Sequence, residues 1–291
     1  MRTFILIDFS WLYNRYYFAA SYALGNDFKG NFNDTVENNL YRMLHEFLTR
    51  VINTNKVKVI LALDSPTSTL NNFKIFEGYK QNRDKELKKE VYSILDSILL
   101  RLVKSLDFKS FSFIKAKGYE ADQILSYMVK KLCKEYKVII FSGDKDLIQL
   151  TSYPNTFISD KFEKGNFIIK TDEELFKKFK NSKDEDFTRI STNKRDILKY
   201  RSLKGDSSDN LSSVFPRIKD REIVEIIKNY WVDDQEEELT EERINKIIED
   251  DLQYENPSLA EKLRQNKDVW LRNYKIMDLL HVEGIKVKRL L

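Results

Sequence analysis

Thr3-Phe4-Ile5-Leu6-Ile7-Asp8 is a run of β-branched and apolar residues that ends on a carboxylate. The same text returns twice: Val57 to Leu63 stops at Asp64, and Val138-Ile139-Ile140-Phe141 leads through Ser142-Gly143 to Asp144. Short apolar runs bounded by turn residues read as strands buried on both faces, the habit of parallel sheets. Helical patterns lie between them. Val36, Leu40, Leu44, Phe47, Leu48 and Val51 recur at three-and-four spacing, and a long helix from about Leu87 to Leu106 carries Val91, Ile94, Leu95, Ile98, Leu102 and Val103 on one side. A strand over Phe111 to Ile114, a helix starting near Glu120, and strands around Thr156 to Ser159 and Phe167 to Lys170 extend the series. The predicted fold is therefore α/β, with a mainly parallel central sheet flanked by helices. From about Thr171 helical patterns dominate, over Ile197 to Leu203, Ile223 to Trp231 and Val269 to Leu280. We expect an α/β core over 1–175 and a smaller C-terminal helical region over 176–291.

Composition narrows the function. The 291 residues are 42% hydrophobic, enough for a full core, and no apolar run approaches the roughly 20 residues a bilayer requires. Asp8 interrupts the apolar N-terminus, which lacks a signal-peptide pattern, so a cytoplasmic protein is expected, without membrane attachment and acting as a monomer. The single cysteine, Cys133, sits on the apolar side of a helix and reads as a core residue. Two histidines, His45 and His281, leave little material for a histidine-rich metal site or a serine-histidine triad. Only 8 glycines are present, and none forms a Gly-rich phosphate loop.

The acids carry the chemistry. Asp8, Asp64, Glu120, Asp122, Asp144, Asp146, Asp206 and Asp209 stand where the chain leaves apolar segments. In an open α/β sheet the carboxyl ends of the strands form the ligand crevice, so acids distant in sequence converge there. Such a cluster repels itself unless cations neutralise it, and an all-oxygen set suits hard divalent ions such as Mg²⁺ or Mn²⁺. An isolated Asp after a strand is usually a turn former or helix cap, but eight in step with a βαβ pattern outweigh that reading. Taking these eight from 46 acids leaves 38 against 50 bases. The stretch 233–251 concentrates ten acids and two bases, so the basic excess lies elsewhere. That stretch reads as a charged surface face kept off nucleic acid, with a partner-binding role left open. A basic body around an acidic cleft fits a phosphodiester substrate.

At these residues the sequence resembles the 5′-nuclease (flap endonuclease) superfamily. Ser142-Gly143-Asp144-Lys145-Asp146-Leu147-Ile148-Gln149-Leu150 is similar to its acidic motif. Tyr119-Glu120-Ala121-Asp122, Lys204-Gly205-Asp206-Ser207-Ser208-Asp209-Asn210, and Leu6-Ile7-Asp8-Phe9-Ser10 followed by Arg15 are similar to three more. Tyr79-Lys80-Gln81-Asn82-Arg83 matches its basic segment, and the order holds from Arg2 to about Val214. The flavour is that of the phage branch, the T-even phage ribonuclease H type. The resemblance implies a PIN-like 5′-nuclease core in which the eight acids hold two Mg²⁺, directly or through water. It implies catalytic Lys80 and Arg83 on a basic helical arch around 70–90, and a phosphate contact at Arg15. The residues themselves allow Lys80 and Arg83, near Phe73, Phe76 and Tyr79, to pair with phosphate and stack on bases. Lys74 to Lys89 reads equally well as a solvated helix face. Tyr13, Tyr16 and Tyr17, beside a strand, are more often core than base-stacking.

Three departures stand out. Gln123 takes a place where the family commonly has a further Asp, which implies a weaker or water-mediated hold on one ion. The arginine common before the arch is missing around Asn71 and Asn72. Ser212 to Lys219 lacks the glycines of the family's duplex-binding hairpin, which puts its monovalent-ion site in doubt and leaves Arg217, Lys219 and Arg221 to hold duplex. The expected activity is metal-dependent cleavage of 5′ flaps and 5′ ends of DNA, or of RNA primers in RNA-DNA hybrids, during replication. Recruitment by a single-strand-binding protein or sliding clamp suits that role, although no motif for it stands out. A PIN-type single-stranded ribonuclease and a non-catalytic DNA-binding protein are the rivals.

Overall fold

The computed structural model describes residues 2–24, 32–54, 57–106, 111–177, 194–232 and 238–290. Strands β1 (Thr3–Asp8), β2 (Lys58–Ala62), β3 (Phe111–Lys115), β4 (Lys137–Phe141) and β5 (Thr156–Ser159) pair in parallel, in the spatial order β5-β4-β1-β2-β3. In register, Ile5 lies beside Val59 on one side and Ile139 on the other. The chain winds outward from β1 in both directions, so the topological switch point falls between β1 and β4, where doubly wound sheets open their crevice.

Side-chain alternation divides the core in two. Ile5, Ile7, Val59, Leu61, Phe113 and Phe141 face helices α1 (Phe9–Leu24), α2 (Phe32–Thr54) and, beyond α3 (Leu70–Ile75) and α4 (Lys85–Ser93), α5 (Leu95–Ser105). Leu6, Ile60, Val138 and Ile140 face α6 (Ala121–Leu132) and the C-terminal helices. Both faces are buried, which is why the strands read as continuous apolar runs. Ile5, Leu6 and Ile7 are almost wholly inaccessible, and burying each such side chain stabilises by about 1.5–3 kcal/mol, which pins Asp8 at the strand end.

After α7 (Asp172–Lys177) come α8 (Asp196–Lys204), α9 (Asp220–Glu225, continuing as a wider turn to Tyr230), α10 (Glu241–Lys246, continuing likewise to Leu252), α11 (Pro257–Gln265) and α12 (Lys267–Met277). These share one apolar cluster with the sheet, in which Trp231 meets Trp270 edge to face at 5.1 Å. Cys133 is buried there as a free thiol. The boundary expected at 175/176 stands just ahead of 178–193, and the acidic stretch begins with 233–237; both segments lie outside the described residues. From 238 onward the acidic stretch buries Ile244, Ile247 and Ile248 while Glu241, Glu242, Glu249 and Asp250 face solvent, as an amphipathic helix does.

Three details differ from the sequence reading. The helix expected from Leu87 to Leu106 breaks at Ile94 into α4 and α5. In place of a strand over Phe167 to Lys170 a tight hairpin pairs β6 (Phe162–Glu163) with β7 (Asn166–Phe167). A last strand, β8 (Lys288–Arg289), returns to pair antiparallel with β3 and covers that sheet edge. Two basic residues gave no periodicity from which to foresee it. Among the described residues no helix is long and apolar enough to cross a membrane.

Candidate metal centre

The crevice at the carboxyl ends of the strands has an acidic floor. Asp8 ends β1 and is held by Trp11 N–H at 2.9 Å and the Ser142 hydroxyl at 3.0 Å. Ser142 follows β4, and its Oγ also accepts the Asp144 N–H at 3.1 Å, so one hydroxyl fixes two acids from neighbouring strands. Asp64, beyond β2, accepts from Ala121 N–H at 2.8 Å, which ties it to the first turn of α6, and there Asp122 accepts from Gln123 N–H at 2.6 Å. The acids repel one another in this shielded place. Burial first, then the nearby Asp144 and Asp64 carboxylates, push Asp8 up to about 7 against the hydrogen bond from Trp11. Burial and then Asp146 raise Asp144 to about 6, and burial with Glu120 drives Asp122 well above the ordinary carboxylate range.

The rim is different, because each of its acids meets a cation of the chain. Glu120, the N-cap of α6, pairs with Lys80 Nζ and accepts from Tyr79 OH at 2.6 Å and Asn72 Nδ2 at 3.2 Å. Lys80 overcomes the effect of burial and holds the Glu120 carboxyl below its ordinary value, while Glu120 and Asp209 raise Lys80 despite its burial. Asp209 accepts from Arg83 Nη2 at 2.5 Å, with Lys80 Nζ 3.8 Å away. Arg201 donates to Asp146 through Nε at 2.8 Å and pairs through Nη2 with Asp206. Burial alone would raise Asp206, but Arg201 and Ser208 hold it low.

Local sequence explains the rim. Gly205 ends α8 at φ +74°, and a Cβ there would lie 2.5 Å from the Leu211 carbonyl oxygen. Asp206 and Leu211 then exchange both backbone hydrogen bonds at 2.8 Å, closing the tight loop that presents the two acids. Asp206 caps a single 3₁₀ turn, Ser207–Asp209, and the two acids point apart, Asp206 at Arg201 and Asp209 at Arg83. Lys80 and Arg83 do not stand on the expected helical arch. Residues 76–83 form turns docked on the loop 207–210, with Asn82 Nδ2 on the Ser207 carbonyl at 2.7 Å and Lys80 N–H on that of Asp209 at 3.0 Å. Lys80 takes φ +56°, a left-handed conformation costing a non-glycine residue about 1 kcal/mol, held by these contacts.

The remaining sites divide. Tyr79 is buried with its hydroxyl on Glu120, which corrects its expected place as a base-stacking residue. Tyr13 and Tyr17 lie in the core. Arg15 is exposed, against the Asp160 carbonyl at 3.1 Å and over Trp11. Lys74, Arg217, Lys219 and Arg221 are exposed. Arg217 adopts φ +61°, a left-handed turn made here without glycine. Sequence reasoning missed Arg201, Ser142 and Asn72. Arg201, five residues before Asp206 at the end of a helix, was the one with a signal. Gln123 turns out to cap α6, accepting from Glu120 N–H at 3.1 Å and donating toward Asn72 at 3.4 Å. As the side chains stand, no three acids among the described residues close on one point tightly enough to clasp an ion. The donor chemistry nevertheless fits a divalent ion: oxygen ligands only, crowded enough to shift one another's protons.

Residues 3–180 match the sequence model of the 5′-3′ exonuclease, N-terminal resolvase-like domain. The chain belongs to that family. A 5′-3′ exonuclease of Mycoplasmopsis pulmonis is 28% identical over 211 residues, 72% of this chain and 61% of that protein. DNA polymerase I of Bacillus subtilis is 25% identical over 97% of this chain but 28% of its own length. This 5′-3′ exonuclease relative therefore spans under two thirds of the first and under a third of the second. In fold it is similar to T5 5′-exonuclease with divalent metal ions (zinc) bound, with a TM-score of 0.63 at 17% identity, covering 96% of this chain and 90% of that one. It also resembles the bacteriophage T5 D15 flap endonuclease in a pseudo-enzyme-product complex with DNA and metal ions, at TM-score 0.58 and 18% identity.

Proposed function

We propose that this chain is a structure-specific, Mg²⁺-dependent 5′ nuclease that cuts 5′ flaps and degrades 5′ ends of DNA, or of RNA primers, on a template. The observation that supports this most is the meeting of acids from β1, β2, α6, β4 and the 205–211 loop in one crevice rimmed by Lys80, Arg83 and Arg201. Bound divalent ions would supply charge neutralisation at the phosphate and an activated water. Asp8, Asp64, Asp122 and Asp144 on the floor, with Glu120, Asp146, Asp206 and Asp209 on the rim, would hold those ions. The chain's own part is positioning and charge. Lys80 sits where it can pass from Glu120 to a scissile phosphate and counter the negative charge that grows there. Arg83, partly exposed, can take a neighbouring phosphate with two donors. Arg15, Lys74, Arg217, Lys219 and Arg221 project into solvent, where lysine and arginine grip a backbone without reading its sequence.

The test is a 5′-flap duplex labelled at either end, with Mg²⁺ added. Cutting at the junction, leaving a 5′-phosphate and 3′-hydroxyl, is expected. Cutting of single-stranded RNA alone would favour a PIN-type ribonuclease, and binding without cutting would contradict catalysis altogether.

A further inference from the structure

Arg201 occupies both oxygens of Asp146, with Nε at 2.8 Å from Oδ1 and Nη2 at 3.3 Å from Oδ2, and its Nη2 also pairs with Asp206 Oδ2. The remaining oxygen of Asp206 accepts from Ser208 N–H at 2.8 Å and Ser208 Oγ at 2.7 Å. All four carboxylate oxygens of this pair are thus engaged by the chain itself. The arginine is only 16% exposed and is paired with both acids, and a guanidinium keeps its charge at any ordinary pH. It stands in the last turn of α8, where the helix dipole also favours a cation. Asp8, Asp122 and Asp144 on the floor form no ion pair among the described residues.

We propose that Arg201 is a positioning residue that acts as a built-in competitor for the outer divalent ion. Resting on the metal-binding reading above, the inference is that an ion at the floor meets unneutralised carboxylates and binds tightly, whereas an ion at Asp146 and Asp206 must first displace a guanidinium. The two ions would then bind with clearly different strengths in the absence of nucleic acid. The arginine prevents mutual repulsion of Asp146 and Asp206 until the second ion arrives, and so keeps the 205–211 loop docked against the end of β4.

Titration of the DNA-free chain with Mn²⁺, read by the electron paramagnetic resonance of the free ion, tests this. The wild type is expected to show one tight and one weak class of sites. Arg201→Gln should tighten the weak class about tenfold and leave the tight class unchanged. Arg201→Lys, which keeps the charge but loses the two-acid bridge, should fall between, near threefold, and serves alone should the glutamine variant not fold. A merely structural arginine gives the opposite sign: its loss would loosen the loop and weaken the outer class. Weakened or unchanged binding in either folded variant overturns the inference and leaves the metal reading intact. Absence of bound Mn²⁺ in the wild type overturns both.

Discussion

On the floor of the crevice Asp8, Asp122 and Asp144 are hydrogen-bonded to backbone N–H and hydroxyl groups and crowd one another, whereas on the rim Glu120, Asp146, Asp206 and Asp209 each pair with Lys80, Arg83 or Arg201. Carboxylates two residues apart, Glu120 and Asp122, thus have opposite energetics. Floor carboxyls are held above their ordinary proton affinity, and Glu120 and Asp206 on the rim are held below it, whereas at Asp209 burial outweighs Lys80 and Arg83 and raises the carboxyl. The floor stores repulsion that an incoming divalent ion would relieve; the rim sets three cations against its four acids and would have to exchange partners. A site built this way separates attraction of ions from their final placement.

Substitutions on floor and rim distinguish the two sets of acids. The largest effect is expected for Asp144→Ala on the floor and Asp146→Ala on the rim: turnover on a flap duplex should fall about 10³-fold or more, the loss of roughly 4 kcal/mol of transition-state stabilisation. DNA binding should persist in a gel-shift assay, and undiminished turnover would count against the assigned roles. Next, Lys80→Ala strips Glu120 of its cation and the phosphate of its partner. It should lower kcat about 10²-fold and cost about 3 kcal/mol of stability in urea unfolding, because a buried carboxylate is left unpaired.

Smaller effects separate Asp144 on the floor from Asp206 on the rim by sign. Asp144→Asn should stabilise the divalent-free chain at pH 8 by about 1–2 kcal/mol, since it removes a charge that burial and Asp146 disfavour. The pH dependence follows from linkage. Between the ordinary value of 3.8 and about 6 the folded state binds more protons at Asp144 than the unfolded state, so stability declines as pH climbs through that window, and the gain from Asn disappears near pH 4. Asp206→Asn should do the reverse, costing about 1 kcal/mol at pH 8 as Arg201 loses a charged partner. A lowered folded pKa contributes stability that is present above 3.8 and lost as pH falls below it, so this cost should shrink on acidification. Melting curves of both variants at pH 8, pH 4 and pH 3 measure the pair; equal signs at pH 8 would dissolve the distinction.

How much of this was legible depends on the kind of signal. The strands ending at Asp8, Asp64 and Asp144 announced themselves because burial on both faces leaves uninterrupted apolar text, and strand order then forces the acids together. Helix α6 was visible from Glu120 onward for a similar reason. The docked state of residues 76–83 was not legible, since Lys80 and Arg83 make their contacts with acids 40 and 126 residues away, and charge spacing carries no information about such pairs. Tyr79 misled because an aromatic between basic residues suits base stacking and core equally; only its hydroxyl on Glu120 decides. β8 is two residues long and basic, held by register rather than by pattern.

The most direct measurement is anomalous X-ray diffraction from crystals of the chain soaked in Mn²⁺. A strong anomalous peak is expected at the floor, within ligand distance of the carboxylate oxygens of Asp8, Asp122 and Asp144, with a second, weaker peak near Asp146 and Asp206. No anomalous density between the ends of β1 and β4 at saturating Mn²⁺, with these carboxylates still in place, would contradict it.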